Sequence, residues 1–186
     1  MFGFLHLGQA ARPAFFILCT MNWEKFTKKL IIQATPSSIY DHWLKSELIE
    51  LWFLRKCRYI DNEGRLRAGN SKAQKGDQYI WEWHNWDGQE KGVVLKTVPD
   101  QKIVFSFSES TVEIKLSEAE TGTLLALTQS GIPTDEDHKY NVFYGCGTAW
   151  SFWLTNLKAF IEHGIALHDK NAPMEGTQDL IEFVNV

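Results

Sequence analysis

This chain has no stretch apolar enough, for long enough, to cross a bilayer. A helical span needs about 20 apolar residues. The longest apolar run near the start covers only residues 14–19, and Arg12-Pro13 interrupts what precedes it. The run also lacks a basic start and is too short for the core of a signal peptide. Stable membrane insertion is therefore not expected. Basic runs are missing as well. The formal net charge is -4, and Lys28-Lys29 and the loop from Lys72 to Lys75 read as solvated surface. Binding through phosphate neutralisation needs a basic face, so nucleic acid is not an expected partner. Cysteine is scarce: Cys19, Cys57 and Cys146 are odd in number and match no disulfide framework or zinc site. Free thiols suit a reducing compartment, and the expected location is the cytoplasm. No nucleophile elbow, phosphate loop or HExxH metal motif is present, so no cofactor and no metal are expected.

What the chain does have is rings, with 8 Trp, 12 Phe and 5 Tyr. They build either a bulky core or the wall of an apolar cavity. The 186 residues suit one domain. Residues 1–20 read unlike the rest, and Met21 is the expected natural start, the alternative being an extension that packs by its phenylalanines. Residues 21–170 form the expected domain and residues 171–186 a tail. Within the tail, residues 180–184 are apolar enough to dock or to pair with an edge strand.

Residues 26–33 read as a strand. Thr35-Pro36 then supplies an N-cap and a proline at the first helical position. Ile39, Trp43 and Leu44 form the stripe of a short helix. Ser46-Glu47 opens a second, with Leu48, Leu51 and Trp52 turned inward. A meander follows. Residues 56–60 form a strand and residues 61–64 a turn, and residues 68–76 form a polar loop. Tyr79, Trp81 and Trp83 share one strand face, opposite Glu82 and His84. Asp87-Gly88 is the expected hairpin turn. Val93 and Leu95 are the inner residues of the next strand. Ile103, Phe105 and Phe107 share a face, as do Val112, Ile114 and Leu116, and then Leu125, Leu127 and Gln129. Alternation this clean marks about seven antiparallel strands with one solvated face. Thr134 reads as the cap of the closing helical stretch, which carries Phe143, Gly147, Trp150, Leu154, Leu157 and Ile161 at steps of three and four. Gly145 and Gly147 imply a kink or a close approach to the sheet, and Gly164 a stop. Cys146 sits between two glycines at a helix start. A thiolate is favoured in such a place, but nothing in the sequence supplies a histidine partner, and packing is the plainer role.

The order of strand, two short helices, curved antiparallel sheet and long C-terminal helix is that of an α+β helix-grip fold. Ala34-Thr35-Pro36 followed by Ile39, Tyr40 and Trp43 resembles the opening of the START-like (SRPBCC) superfamily, which contains the birch-pollen allergens. Gly92-Val93-Val94-Leu95 with Lys102-Ile103-Val104-Phe105-Ser106-Phe107 resembles a hairpin of its branch of heat-shock-chaperone ATPase-activator homologues (AHSA-like). Residues 123–131, Gly147 with Trp150, and Asn156-Leu157-Lys158 resemble that branch's closing strand and helix. The likeness spans residues 24–165. Two departures bear on the pocket mouth. Phe107 stands where the branch usually has Trp, and residues 140–145 add length before the last helix.

The resemblance implies a ligand held between sheet and helix, as superfamily members bind lipids, sterols, polyketides or plant metabolites. Residue parity aims Trp81, Trp83, Phe105, Phe107, Leu125 and Leu127 at Trp150, Trp153 and Leu154, and Trp52 and Tyr79 are further expected ligand-binding residues. Gln129 is the one polar residue on that face, placed either to orient a ligand or to bond a backbone group or water. The expected function is binding of a small hydrophobic or amphipathic molecule. One alternative is a cyclase- or hydrolase-type enzyme in the same cavity, with Asp77, Tyr79, Glu82, His84 and Cys146 as candidate groups. Parity, however, sets Glu82 and His84 opposite the tryptophans, in water. His163 and His168 straddle Gly164, where positive charge suits a helix end. A third possibility is a protein-interaction or co-chaperone-like module, with a homodimer formed through a strand edge or the tail. No separate chaperone-binding domain is read in these residues, so chaperone activation is not an expectation.

Overall fold

The computed structural model describes residues 21–171. The expected leader 1–20, with Cys19, and the tail beyond Asn171 lie outside the described residues. Seven antiparallel strands form one sheet in the order β1-β7-β6-β5-β4-β3-β2. They are β1 (Lys25–Ile32), β2 (Lys56–Ile60), β3 (Gln78–Glu82), β4 (Glu90–Val98), β5 (Lys102–Phe107), β6 (Ser110–Ala119) and β7 (Gly122–Ser130). Between β1 and β2 run α1 (Pro36–Leu44) and α2 (Ser46–Trp52). After β7 come α3 (Glu136–His138), a π-helical segment (Lys139–Cys146) and α4 (Gly147–His163). This is the helix-grip architecture: one curved sheet, two short helices and a long closing helix.

Local chemistry accounts for most boundaries. The Thr35 side chain accepts a hydrogen bond from the Ser38 N–H at 3.2 Å, and Pro36 opens α1 behind it. Such a cap contributes about 1 kcal/mol. Gly164 ends α4 at φ 69, a left-handed conformation that glycine adopts without a Cβ penalty. Ile103, Phe105, Val112, Ile114, Leu116, Leu125 and Leu127 are all buried on the inner face, as their parity requires.

Several expectations fail where local pattern and tertiary contact disagree. In α2 the buried stripe is Ile49, Trp52 and Phe53, while Leu51 is exposed and Leu48 half-buried. Two turns of helix bury one stripe at steps of three and four, and that stripe is set by Trp52. In β4 the inner residue is Val94, and Leu95 faces solvent. Gly92 lies opposite Tyr79 in register, and the Tyr79 ring occupies the space a Cβ on Gly92 would take, 2.6 Å away. Val94 then follows on the same face, and a bulge between Val94 and Lys96 leaves Leu95 outside. The reversal after β3 is not at Asp87-Gly88. The chain turns at His84-Asn85, with Asn85 at φ 58, and continues as a longer loop to Glu90. Asp135, not Thr134, caps α3: its side chain accepts from the His138 N–H at 3.1 Å. Of the kink or close approach expected from Gly145 and Gly147, the fold has a π-helical segment ending at Cys146, and Gly147 lies against the Phe26 ring of β1, 3.8 Å from where a Cβ on Gly147 would stand.

Candidate functional site

Helix α4 lies across the inner face of the sheet, and a polar chain holds it there. The Trp150 indole N–H donates to Gln129 Oε1 at 2.9 Å. Gln129 Nε2 donates to Ser110 Oγ at 2.9 Å, and that hydroxyl donates to the Phe107 carbonyl at 2.6 Å. Gln129 is fully buried, so each bond satisfies a group that would otherwise be costly. Its amide joins helix to sheet through side chains, where sequence reading had it bond a ligand, a backbone group or a water.

Around this joint the rings meet in direct contact. Trp43 and Trp52 have centroids 5.0 Å apart, Tyr79 and Trp81 4.3 Å, Trp81 and Phe105 5.1 Å, and Phe53 and Trp81 5.5 Å. Trp52, Tyr79, Trp81, Phe105, Leu125, Leu127 and Leu154 are buried in this core. Trp43 from α1 and Phe53 after α2 contribute rings here that face-by-face reading of the sheet did not include. The ring-lined space expected along the whole helix is therefore occupied around Trp43, Phe53 and Trp81.

At one end a smaller space stays open. A pocket of about 90 Å³ is lined by Phe53, Trp83, Phe107, Cys146, Ala149, Trp150 and Trp153. Of the residues singled out in the sequence, Trp83, Phe107, Trp150 and Trp153 meet at this pocket. Phe53, Cys146 and Ala149 join them; Cys146 was expected in this cavity only as a candidate group of an enzyme, and Phe53 and Ala149 were not expected there. Phe53 was legible only as part of the apolar run after α2. Ala149 is exposed at the mouth.

One titratable group, Cys146, lines the pocket, and a second, Glu90, bonds the backbone next to lining residue Phe107. Burial pushes the Cys146 thiol up to about 11, so it remains a neutral thiol near pH 7 rather than a nucleophilic thiolate. Glu90 is paired in register with Trp81 and so lies on the inner face, half-buried. One carboxylate oxygen accepts from the Ser108 N–H at 3.0 Å, directly after pocket-lining Phe107. Burial raises the Glu90 carboxyl above its ordinary range, and the Ser108 bond opposes this. The strand register sets Glu90 on the inner face, which nothing in the linear pattern indicated.

The other candidate groups serve the fold. Asp77 is fully buried and takes two bonds from the Arg67 guanidinium, one at 2.8 Å, and one from the Gln74 N–H at 2.7 Å. The Tyr79 hydroxyl donates to the Ser106 carbonyl at 2.5 Å. Glu82 pairs with Arg58 at 2.5 Å and Arg55 at 3.5 Å. His168 is not an exposed helix-end charge. It is buried against Trp153, with ring centroids 5.6 Å apart. Asn156 Nδ2 meets His168 Nδ1 at 3.2 Å and also donates to the Trp52 carbonyl, while Asn156 Oδ1 accepts from the Leu167 N–H at 2.6 Å. Among the described residues, no three His, Cys, Asp or Glu side chains are grouped to hold a metal ion.

The family model described as Activator of Hsp90 ATPase homolog 1-like protein matches residues 33–162. No curated protein matches the chain. Solved structures share its fold at low identity. A crystal structure of a Staphylococcus saprophyticus protein aligns with TM-score 0.60 at 17% identity, covering 76% of this chain and 94% of the other. The solution structure of the Aha1 dimer from Colwellia psychrerythraea gives 0.58 at 17%, covering 75% and 97%. CalU16 from Micromonospora echinospora gives 0.56 at 20%, covering 80% and 77%.

Proposed function

The chain belongs to the Activator of Hsp90 ATPase homolog 1-like family, and from that premise we propose that it binds a small amphipathic molecule by burying one compact group in the pocket beside α4. The observation that supports this reading is the apolar, ring-walled pocket of about 90 Å³ next to an otherwise filled core. A whole drug-sized ligand needs roughly 300 Å³ or more, so only part of the molecule enters and the remainder stays at the mouth. Catalysis has less support. The thiol at the pocket is neutral, and Asp77, Tyr79 and Glu82 are each engaged in structural bonds.

The test uses the mouth. Titration of the full chain with short alkyl and aromatic alcohols, followed by NMR, is expected to shift the indole N–H resonances of Trp83, Trp150 and Trp153. Ala149→Trp caps the opening from an exposed position and is expected to abolish these shifts while leaving the melting temperature within a few degrees. Shifts that persist in the capped variant, or none in the parent, would sink the reading.

We also propose a protein-contact role for the opposite flank of the π-helical segment. Tyr140 and Tyr144 stack with centroids 6.3 Å apart and remain 52% and 59% exposed. With Trp23, Glu136 and Lys139 they line an open surface hollow. Exposed, rigid aromatics are common anchors of interfaces. One of the similar structures is a dimer, and a second copy of this chain is the partner proposed. The free thiols of Cys57 and Cys146 support a reducing, cytoplasmic location.

A further inference from the structure

The pocket's wall is mostly aromatic. Five of its lining side chains are aromatic, three of them indoles, and Ala149 and Cys146 complete it. An aliphatic guest needs no such wall, since leucines or valines would serve. Aromatic faces carry negative quadrupole density and attract cations, with Trp the strongest. The rings are mutually braced: Phe53 lies 5.6 Å from Trp83, 5.1 Å from Trp153 and 5.6 Å from Trp150, and Phe107 lies 5.4 Å from Trp150. The space suits a compact head. A pocket of about 90 Å³ takes a group of a few heavy atoms rather than a whole ligand.

A second observation is independent of the rings. Glu90 stands on the inner face, half-buried, and among the described residues its carboxylate takes one hydrogen bond, from the Ser108 N–H that follows Phe107. No lysine, arginine or histidine among the described residues pairs with it. A desolvated carboxylate without a cation is costly, whereas the neighbouring carboxylates Glu82 and Asp77 both have arginine partners. Of the basic groups near Trp83, Lys170 and Arg55 keep their charge beside His84 and work against a bound cation, so the rings and Glu90 must outweigh them. Burial holds His84 below its ordinary range, so it is neutral at pH 7, and Arg55 is paired with Glu82.

We infer that the pocket is a cage for an alkylammonium group, with Trp83, Trp150, Trp153, Phe53 and Phe107 as walls and the Glu90 carboxylate as counter-charge at the rim. This rests on the binding reading above and narrows it to ligands whose buried group is a methylated or otherwise compact ammonium. A bound cation stabilises the ionised form of Glu90, so binding releases a proton when the pH lies within the carboxyl's raised titration range.

The experiment compares two probes of one shape and different charge on the full chain, by calorimetry: choline and its neutral isostere 3,3-dimethyl-1-butanol. Choline is expected to bind at least about tenfold more tightly. Its affinity should rise with pH as Glu90 ionises. Glu90→Gln, whose amide oxygen still accepts from Ser108, is expected to remove most of the preference and flatten the pH profile, weakening choline far more than the alcohol. Equal or tighter binding of the alcohol would overturn the ammonium inference and leave the pocket reading standing. An unchanged choline affinity in Glu90→Gln would overturn Glu90's part in it. Failure of both probes to bind would overturn the inference and the pocket reading together.

Discussion

Arg67 and Asp77 show how a single residue's role changes between sequence and structure. In the sequence Asp77 is a candidate catalytic acid; in the fold it is a fully buried anchor, held by Arg67 across an irregular loop. The pairing was not legible because the loop between them has no periodicity to orient either side chain. Arg67→Ala would leave a buried carboxylate without its counter-charge, and such losses cost about 3–5 kcal/mol. The expected result is a large fall in the urea midpoint with an unchanged slope. A shift worth less than about 1 kcal/mol would show the pair to be no better than a surface bridge. Gln129 is a contrasting case. Its inward direction followed from strand parity, but its partner Trp150 could be found only once α4 was docked.

Helix α4 carries the pocket on one side and a latch at its end. After Gly164 the chain folds back, and His168 inserts beside Trp153. The Asn156 amide is orientationally fixed, because its oxygen must accept from the Leu167 N–H and its nitrogen must donate to the Trp52 carbonyl. It therefore presents a donor to His168 Nδ1. Protonating that nitrogen would set donor against donor. Burial, with the charges of His84 and Lys170 nearby and Asp169 opposing them weakly, lowers the His168 pKa from 6.5 to about 4. The sign follows: the fold holds the neutral ring, so this stabilisation is complete above pH 6.5 and is lost as the pH falls toward 4. Hydrogen exchange at pH 4.5, referenced to sheet amides, is expected to show the Leu167 amide opening at least about tenfold more than at pH 7. His168→Leu should remove the pH dependence. Equal protection at both pH values would refute the latch. The π-helical segment is the other feature of this stretch. Residues 140–145 were legible as added length, and the fold absorbs them as wider turns that deliver Cys146 to the pocket.

For the molecule as a whole, the proposed dimer is tested by sedimentation of the full chain at tens of micromolar. A dimer is expected, and Tyr140→Glu with Tyr144→Glu should return it to a monomer with the same far-UV spectrum. A monomer in the parent, or a dimer that survives both substitutions, would place the contact elsewhere. The sequence alone was enough for the architecture. Alternation with period two set which face of β5, β6 and β7 is buried. Steps of three and four, with the Thr35 cap and the Gly164 stop, set the helices, because each of these signals depends on neighbours a few residues apart. It failed in α2, where Ile49 is buried in place of Leu48 and Leu51, at the reversal after β3, and at β4, where the Tyr79 ring, a bulge and a distant pairing partner decide the inner face. What only the tertiary structure decided is how much space remains inside and which charge borders it. That space is the small difference between the volume the sheet and helix enclose and the volume the rings of α1, α2, the loop after β3, β5 and α4 fill. No local pattern encodes such a difference, and Glu90 acquires its place in it only through its pairing with Trp81.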